Sequence, residues 1–247
     1  VAIDVVVPAA PAGEFSWAAL AKLAGVPAAF LVVAFRAARG PWRTELRLQR
    51  APTRHGTTAV VVAGTLALSI FGGALTQLIA PQAANVLSTA SGSLRPSTAA
   101  QMVAVAVVFG PLTAFGEEVF FRGFVQGELA RRWPVARALA VTSFIFAIMH
   151  LSTARAPTSF GVGLWLGFVT ERSGSIRPGI WAHMANNLFA AAAALSTQQV
   201  EPPRGEMMCA LLISAPLFAA AATFFLRSAA RHAAKNPPST ASGVPVT

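Results

Sequence analysis

The sequence predicts an all-α fold: a polytopic transmembrane helical bundle of about seven spans, with eight possible. Three observations carry that expectation. The 247 residues are 55% hydrophobic and only 11% charged, with a mean hydropathy of +0.59, whereas a typical soluble domain is about 25% charged. Apolar runs recur at the length a bilayer demands. Thr57 to Ala80 holds 24 residues without a charge, enough to cross about 30 Å of hydrocarbon. The basic residues are also segregated. When the runs are read as seven spans, fourteen of the nineteen Lys and Arg fall on one side and three on the other, with Lys22 and Arg122 inside spans. This bias meets the positive-inside rule, so the N-terminus is expected outside and the C-terminus in the cytoplasm of a multi-pass cell-membrane protein. It also accounts for the formal charge of +10 without a nucleic-acid partner. The basic loops suit anionic lipid, and the bilayer itself is the first partner.

Residues 1–15 are rich in Pro and Ala, carry only Asp4 and Glu14 as charges, and lack the basic leader of a secretory signal. The first span runs from Trp17 to Phe35. It contains Pro27 and Lys22, which lies near one end and can snorkel. Residues 36–55 form a polar loop with six arginines. After the Thr57–Ala80 span, residues 81–97 read as a loop. The third span begins near Ser97 and continues to about Val125, with Pro111 predicting a kink six residues before Glu117. The fourth runs from about Val135 to Leu151. The fifth is short, Thr158 to Thr170. It carries Gly163-x-x-x-Gly167, a close-packing signature, and ends at the turn Arg172-Ser173-Gly174-Ser175. The sixth covers Ile176 to Leu195 and the seventh Met207 to Leu226. The tail from Arg227 to Thr247 is basic, then rich in Pro, Ser and Thr, and is expected to be disordered. The chain divides into 1–96, a two-span region with the basic loop; 97–198, a core; and 199–247, the last span and tail. The lone Cys209 excludes an intrachain disulfide and reads as a free core thiol. No internal repeat of the kind found in many secondary transporters is present.

The third span ends in Gly116-Glu117-Glu118-Val119-Phe120-Phe121-Arg122-Gly123. An ionised side chain in hydrocarbon costs about 2.5–3.5 kcal/mol on insertion scales, so three in six residues demand pairing or function. Glu118 and Arg122 are four apart, share a face and can neutralise each other. Glu117 and Arg122 are five apart, about 140° around a helix, which leaves Glu117 without a built-in partner. Few other polar groups interrupt the later spans. Phe146-x-x-x-His150 places an aromatic ring and an imidazole on one face, and His183-x-x-x-Asn187 does the same for an imidazole and a carboxamide. If the third, fourth and sixth spans are neighbours, Glu117, His150, His183 and Asn187 converge. They would supply a base, a second proton handler and two oxyanion-stabilising groups, the parts for water attack on a carbonyl. Each group also has a plain structural reading. Glu118 with Arg122 reads as a structural ion pair, either histidine alone could be an interhelical hydrogen bond, Asn187 could be interhelical glue, and Phe146 and Asn186 read as packing.

Together, Glu117-Glu118-x-x-x-Arg122, Phe146-x-x-x-His150 and His183-x-x-x-Asn187 resemble, in order and spacing, the three motifs of the CPBP family. This is the Abi-type family of type 2 CAAX prenyl proteases and bacteriocin-processing intramembrane proteases, which includes the Ras-converting enzyme and lysostaphin resistance proteins. The run from Gly163-Leu-Trp-Leu-Gly167 through Arg172-Ser-Gly-Ser-Ile176 is similar to the family's segment before its third motif. The resemblance covers about residues 97–198. It implies a membrane-embedded endopeptidase acting on a membrane-associated or lipidated peptide or protein. Glu117 would be the general base, assisted by His150. His183 and Asn187 would form the oxyanion hole, and Glu118 and Arg122 would shape the site. The structurally known relatives have eight spans. A zinc ion held by Glu and two His is possible, but the helix-borne His-Glu-x-x-His pattern is absent, so the metal-free glutamate mechanism is the expectation and no cofactor is committed. The site is expected to be reached from the cytoplasmic side. The Ala- and Arg-rich, Lys-poor composition points to a high-GC bacterium, and hence to a small secreted or membrane peptide as substrate rather than a prenylated protein. Two other classes remain open: a proton-coupled transporter using Glu117 and the histidines as a relay, and a non-catalytic membrane scaffold or bacteriocin-immunity protein.

Overall fold

In the computed structural model, residues 15–51, 55–81, 96–196 and 203–235 are described. Among them every regular element is helical. Eight helices follow in order: α1 (Trp17–Ala37), α2 (Trp42–Glu45), α3 (His55–Ile79), α4 (Ala99–Ala130), α5 (Val135–Ile148), α6 (Ala156–Ser173), α7 (Arg177–Ser196) and α8 (Arg204–Lys235). The seven long helices coincide with the seven predicted spans. By length and composition four stretches can cross a membrane: Trp17–Ala37, Gly56–Ile79, Ala99–Ala130 and Arg204–Ala230. α5 has only 14 residues, short of the roughly 20 that a span needs.

Sequence features account for the helix boundaries. The Ser16 side chain accepts from the Ala19 amide and starts α1. Thr98 and Gln101 form a reciprocal capping box at the start of α4. Gly174 ends α6 at φ 65°, in the left-handed region that glycine adopts without a steric penalty. Pro111 cannot donate a backbone hydrogen bond, and α4 responds by widening into π-turns over Val108–Leu112 rather than breaking. A second π segment covers Glu118–Val125.

Three expectations are corrected. The tail does not become irregular at Arg227; α8 continues to Lys235, carried by Ala-rich sequence of high helix propensity. Cys209 is exposed on the outside of α8 rather than in the core. The 36–55 loop contains the short helix α2 and is partly buried. The N-terminal 1–14 stretch, the Arg95 loop and the tail beyond 235 lie outside the described residues.

Two apolar clusters hold the bundle. One joins Val61 of α3, Val162, Trp165, Leu166 and Val169 of α6, Ala182 of α7 and Phe225 of α8. Within it the Trp165 indole donates to the Thr65 hydroxyl at 3.1 Å. The other joins Ala34 of α1, Leu46, Leu48, Val119 of α4 and Ile176. The predicted glycine signature packs α6 closely. A Cβ on Gly163 would come within 3.0 Å of Ser143, and one on Gly167 within 2.6 Å of Gln126 Oε1. Large apolar side chains such as Val32, Val103, Leu212, Ile213 and Leu217 face outward, as a lipid-facing surface requires.

The basic loops gather at one end. Arg47 pairs with Glu171 at 2.5 Å and Arg131 with Glu45 at 3.4 Å. Gln49 donates to the Gly174 carbonyl, Ser175 to that of Gln49 and Arg177 to that of Leu48. The Ile176 amide donates to the Arg47 carbonyl at 2.9 Å. Thus the 46–49 segment is stitched to the α6–α7 turn, with Leu46 and Leu48 turned into the core.

Gly116 sets the approach of α4 to α1. A Cβ there would lie 2.6 Å from Pro27 Cβ and 2.7 Å from its carbonyl oxygen. Gly116→Ala is therefore expected to cost about 1–3 kcal/mol through overpacking against backbone. Thermal unfolding in detergent would register this as a lower midpoint; an unchanged midpoint would show that the α1–α4 contact can relax.

Candidate active site

The motif residues come together where α4, α5 and α7 meet. Glu118 is completely buried and Arg122 is 1% exposed. Arg122 Nη1 lies 2.8 Å from Glu118 Oε1, an ionic contact without aligned N–H geometry. The i,i+4 pair expected from the sequence is thus present, and it has a third member. His183 Nδ1 lies 2.8 Å from the same Glu118 oxygen. An ionised carboxylate only accepts, so Nδ1 carries the hydrogen and donates. That turns Nε2 toward Glu117, whose Oε2 is 3.6 Å away, beyond hydrogen-bond range. Glu117 Oε2 is buried and has no hydrogen-bond partner in the protein.

Gly179, one turn before His183, allows α7 to come this close to Glu118. A Cβ there would stand 3.0 Å from Glu118 Oε2. Phe146 of α5 is an aromatic hub. Its ring centroid lies 4.2 Å from the Arg122 guanidinium carbon, a cation–π contact. It also meets the rings of His150 at 4.8 Å and His183 at 5.9 Å, both edge-on. His150 Nδ1 lies 2.9 Å from the Phe146 carbonyl. That carbonyl can only accept, so Nε2 is the atom His150 leaves for other partners.

A cleft of about 80 Å³ opens onto Glu117. α1 contributes Val26 and Phe30 to its wall, α4 contributes Glu117 and Phe121, and α5 with the residues past its end contributes Phe146, Met149 and His150. His183 and Asn187 are not on this wall. Asn187 is placed one turn beyond His183, where its Nδ2 donates to the Phe109 carbonyl at 3.0 Å, within the first π segment of α4. The structure therefore brings Glu117, Glu118, Arg122, Phe146, His150 and His183 into one cluster and ties Asn187 to the backbone beside it. A larger cleft of about 560 Å³ lies at the basic end among Glu45, Arg47, Arg131 and Glu171; no motif residue lines it.

Sequence reasoning missed three features. Glu118 was paired with Arg122 alone, because the His183 contact joins residues 65 apart in sequence. The second π segment has no proline to announce it. The chain Arg47–Glu171–Gln126, with Gln126 donating to Glu171 at 2.7 Å and to the Gly167 carbonyl at 3.1 Å, was also missed. Its signal was available: Gln126 and Glu171 are polar residues on otherwise apolar helices.

Among the described residues no three His, Cys, Asp or Glu side chains are grouped so as to hold a metal ion. The Nδ1 atoms of His150 and His183 face oxygen partners, which leaves the Nε2 atom of each as the available nitrogen.

A bundle of apolar helices that gathers two carboxylates, a guanidinium and two imidazoles around a small cleft, with Glu118, Arg122 and His183 buried, defines a multi-pass membrane protein with an internal ionisable site. Residues 96–189 match the family model of the type II CAAX prenyl endopeptidase Rce1-like proteins. Over that segment, less than half of the chain, the sequence is similar to this protease family, in line with the resemblance carried by the three motifs. No curated protein and no solved structure matches the chain.

Arg122→Ala would leave Glu118 buried with an uncompensated charge, at an expected loss of about 3–5 kcal/mol. The joint change Glu118→Gln with Arg122→Met removes both charges and is expected to cost less than Arg122→Ala. Thermal unfolding of both variants checks this. A double variant less stable than Arg122→Ala would contradict it.

Proposed function

We propose that the protein is an intramembrane endopeptidase that hydrolyses a peptide bond in a membrane-associated or lipidated peptide or protein. The observation carrying this reading is Glu117. It is a carboxylate with an unpartnered oxygen at a small cleft inside the bundle, next to two imidazoles and within the segment similar to a protease family.

In the proposed reaction Glu117 takes a proton from water as the oxygen attacks the scissile carbonyl. His150, through Nε2, helps to hold that water. The carbonyl oxygen becomes an oxyanion, stabilised by hydrogen-bond donors already in place. Asn187 has two amide hydrogens; one is held by the Phe109 carbonyl and the other remains to donate. His183, held at Nδ1 by Glu118, turns Nε2 toward the site and donates from it when that nitrogen carries a proton. Collapse of the tetrahedral intermediate breaks the C–N bond. Glu117 returns its proton to the departing nitrogen, giving a carboxylate and an amine. Glu118 and Arg122 do not touch substrate in this scheme; they position His183. No step runs through a metal.

The family's printed activity makes a CAAX-type substrate one form of this reaction; a small bacterial membrane peptide is the other. The division into 1–96, 97–198 and 199–247 fits a protease core held between flanking spans. Seven crossings with the C-terminus in the cytoplasm agree with the gathering of the basic loops at one end.

Glu117→Gln keeps the size of the side chain and removes the base. Purified in nanodiscs, this variant is expected to unfold at the wild-type temperature and to lose about 10²–10⁴-fold in cleavage rate against a panel of lipidated and unlipidated peptides. Wild-type rates from a folded Glu117→Gln protein would end the proposal. Chelation is expected to leave the wild-type rate unchanged.

A further inference from the structure

The cleft of about 560 Å³ at the basic end shares no lining residue with the Glu117 cleft. Four charged side chains converge on it: Glu45, Arg47, Arg131 and Glu171. Its walls come from three separate parts of the chain. Glu45 and Arg47 belong to the segment around α2, Arg131 and Val135 to the turn between α4 and α5, and Glu171 to the end of α6. Gly127 keeps the α4 wall low, since it is buried and a Cβ there would meet nothing within 4 Å. The volume falls among those of clefts that hold small molecules, about 300–1,000 Å³.

Three of the four charges are fixed. Arg47 has the left-handed backbone at φ 54°, which a residue with a Cβ rarely enters. The Ile176 amide on its carbonyl and Glu171 on its guanidinium hold it there. Glu171 also accepts from the Gln126 amide. The Gly40 amide donates to Glu45 Oε2 at 2.8 Å and holds that carboxyl below its ordinary pKa, so Glu45 stays ionised. Arg131 is held more loosely. It lies 3.4 Å from Glu45 and 3.2 Å from Glu128, with half of its side chain exposed. Exposed pairs of this kind add little stability, so the guanidinium can turn to another anion. A guanidinium has five N–H donors and a carboxylate about four acceptor sites, and the existing pairs leave much of that capacity unused. The set holds two cations and two anions. A ligand that answers all four carries both signs.

The residues around the cleft indicate the source of such a ligand. Trp42 follows Pro41 of the cleft wall, and Trp133 lies between Arg131 and Val135 of the same wall. Trp42 is exposed and Trp133 half-buried. Arg43 stands over the Trp42 ring at 5.3 Å and Arg137 over the Trp133 ring at 4.6 Å. Tryptophan is enriched at the level of lipid headgroups, and arginine there draws lipid phosphate. We propose that the basic-end cleft binds a phosphodiester carrying a primary ammonium, the chemistry of a phosphatidylethanolamine headgroup. The phosphate lies between Arg131 and Arg47, and the ammonium donates to Glu45 and Glu171, all charge-assisted contacts. A quaternary ammonium has no N–H to give these carboxylates, and a headgroup without a cation sets its phosphate against them unanswered. The site does not depend on the proteolytic reading.

Full-length protein in detergent is titrated with phosphatidylethanolamine, phosphatidylcholine and phosphatidylglycerol of identical acyl chains, and bound lipid is counted by native mass spectrometry. One phosphatidylethanolamine is expected to be held about tenfold more tightly than either of the others. Glu45→Gln and Arg131→Gln are each expected to remove that preference. Arg132→Gln, next in sequence but off the cleft wall, is expected to keep it. Val135→Trp fills the cleft without touching a charge and is expected to abolish the tight site, so misfolding of a charge variant does not decide the test. Equal retention of the three lipids by the wild type would overturn the proposal. So would a preference that survives both Val135→Trp and Arg131→Gln. The bound lipid is expected to resist an equal concentration of soluble glycerophosphoethanolamine; displacement would overturn the lipid as source and assign the cleft to a free solute of the same chemistry.

Discussion

Glu118 and Arg122 face each other with no more than 1% of either exposed, and the helices around them are arranged so that neither charge is left alone. The carboxylate is shared between the guanidinium and the His183 imidazole. The guanidinium is covered by the Phe146 ring. Gly179 lets α7 approach and Gly116 lets α1 approach. A buried pair of this kind adds little net stability over an apolar replacement, but it is costly to break. Its value here is directional: it sets which nitrogen of His183 carries hydrogen and which one faces Glu117.

That constraint separates two adjacent carboxylates into two roles. Glu118 is fully buried, shares Oε1 between Arg122 and His183, and keeps Oε2, also without a hydrogen-bond partner, against Gly179 and off the cleft wall. Glu117 keeps an oxygen without a protein partner and sits at a cleft. Residues adjacent in sequence are thus made different by their surroundings, the usual route to distinct acid–base behaviour from identical side chains. The π-turns contribute. Widening over Val108–Leu112 and Glu118–Val125 re-phases α4 on both sides of Glu117, and the Asn187–Phe109 hydrogen bond ties the first of these to α7.

The helices themselves were legible in the sequence, because charge-free runs and Lys/Arg segregation report the bilayer directly. The boundary at Gly174, the packing role of Gly163 and Gly167, and the Glu118–Arg122 pair followed from local rules. The contacts of His183 with Glu118 and of Asn187 with Phe109 did not, since they depend on how two distant helices dock. Nor did the inward turn of Leu46 and Leu48. They lie in an Arg-rich loop whose composition reads as solvent-facing, and only the stitching to the α6–α7 turn draws them in. Arg227 to Lys235 misled for the opposite reason: its charges end the apolar run but not the helix.

The central claim is that Glu117 makes this a protease, and the most direct measurement is a comparison by mass spectrometry of peptide termini in native membranes. Cells carrying wild type are set against cells carrying Glu117→Gln at equal abundance. The account predicts new termini in the wild-type membranes that vanish with Glu117→Gln, and these would name the substrate and the bond. Identical sets of termini in the two membranes would contradict it.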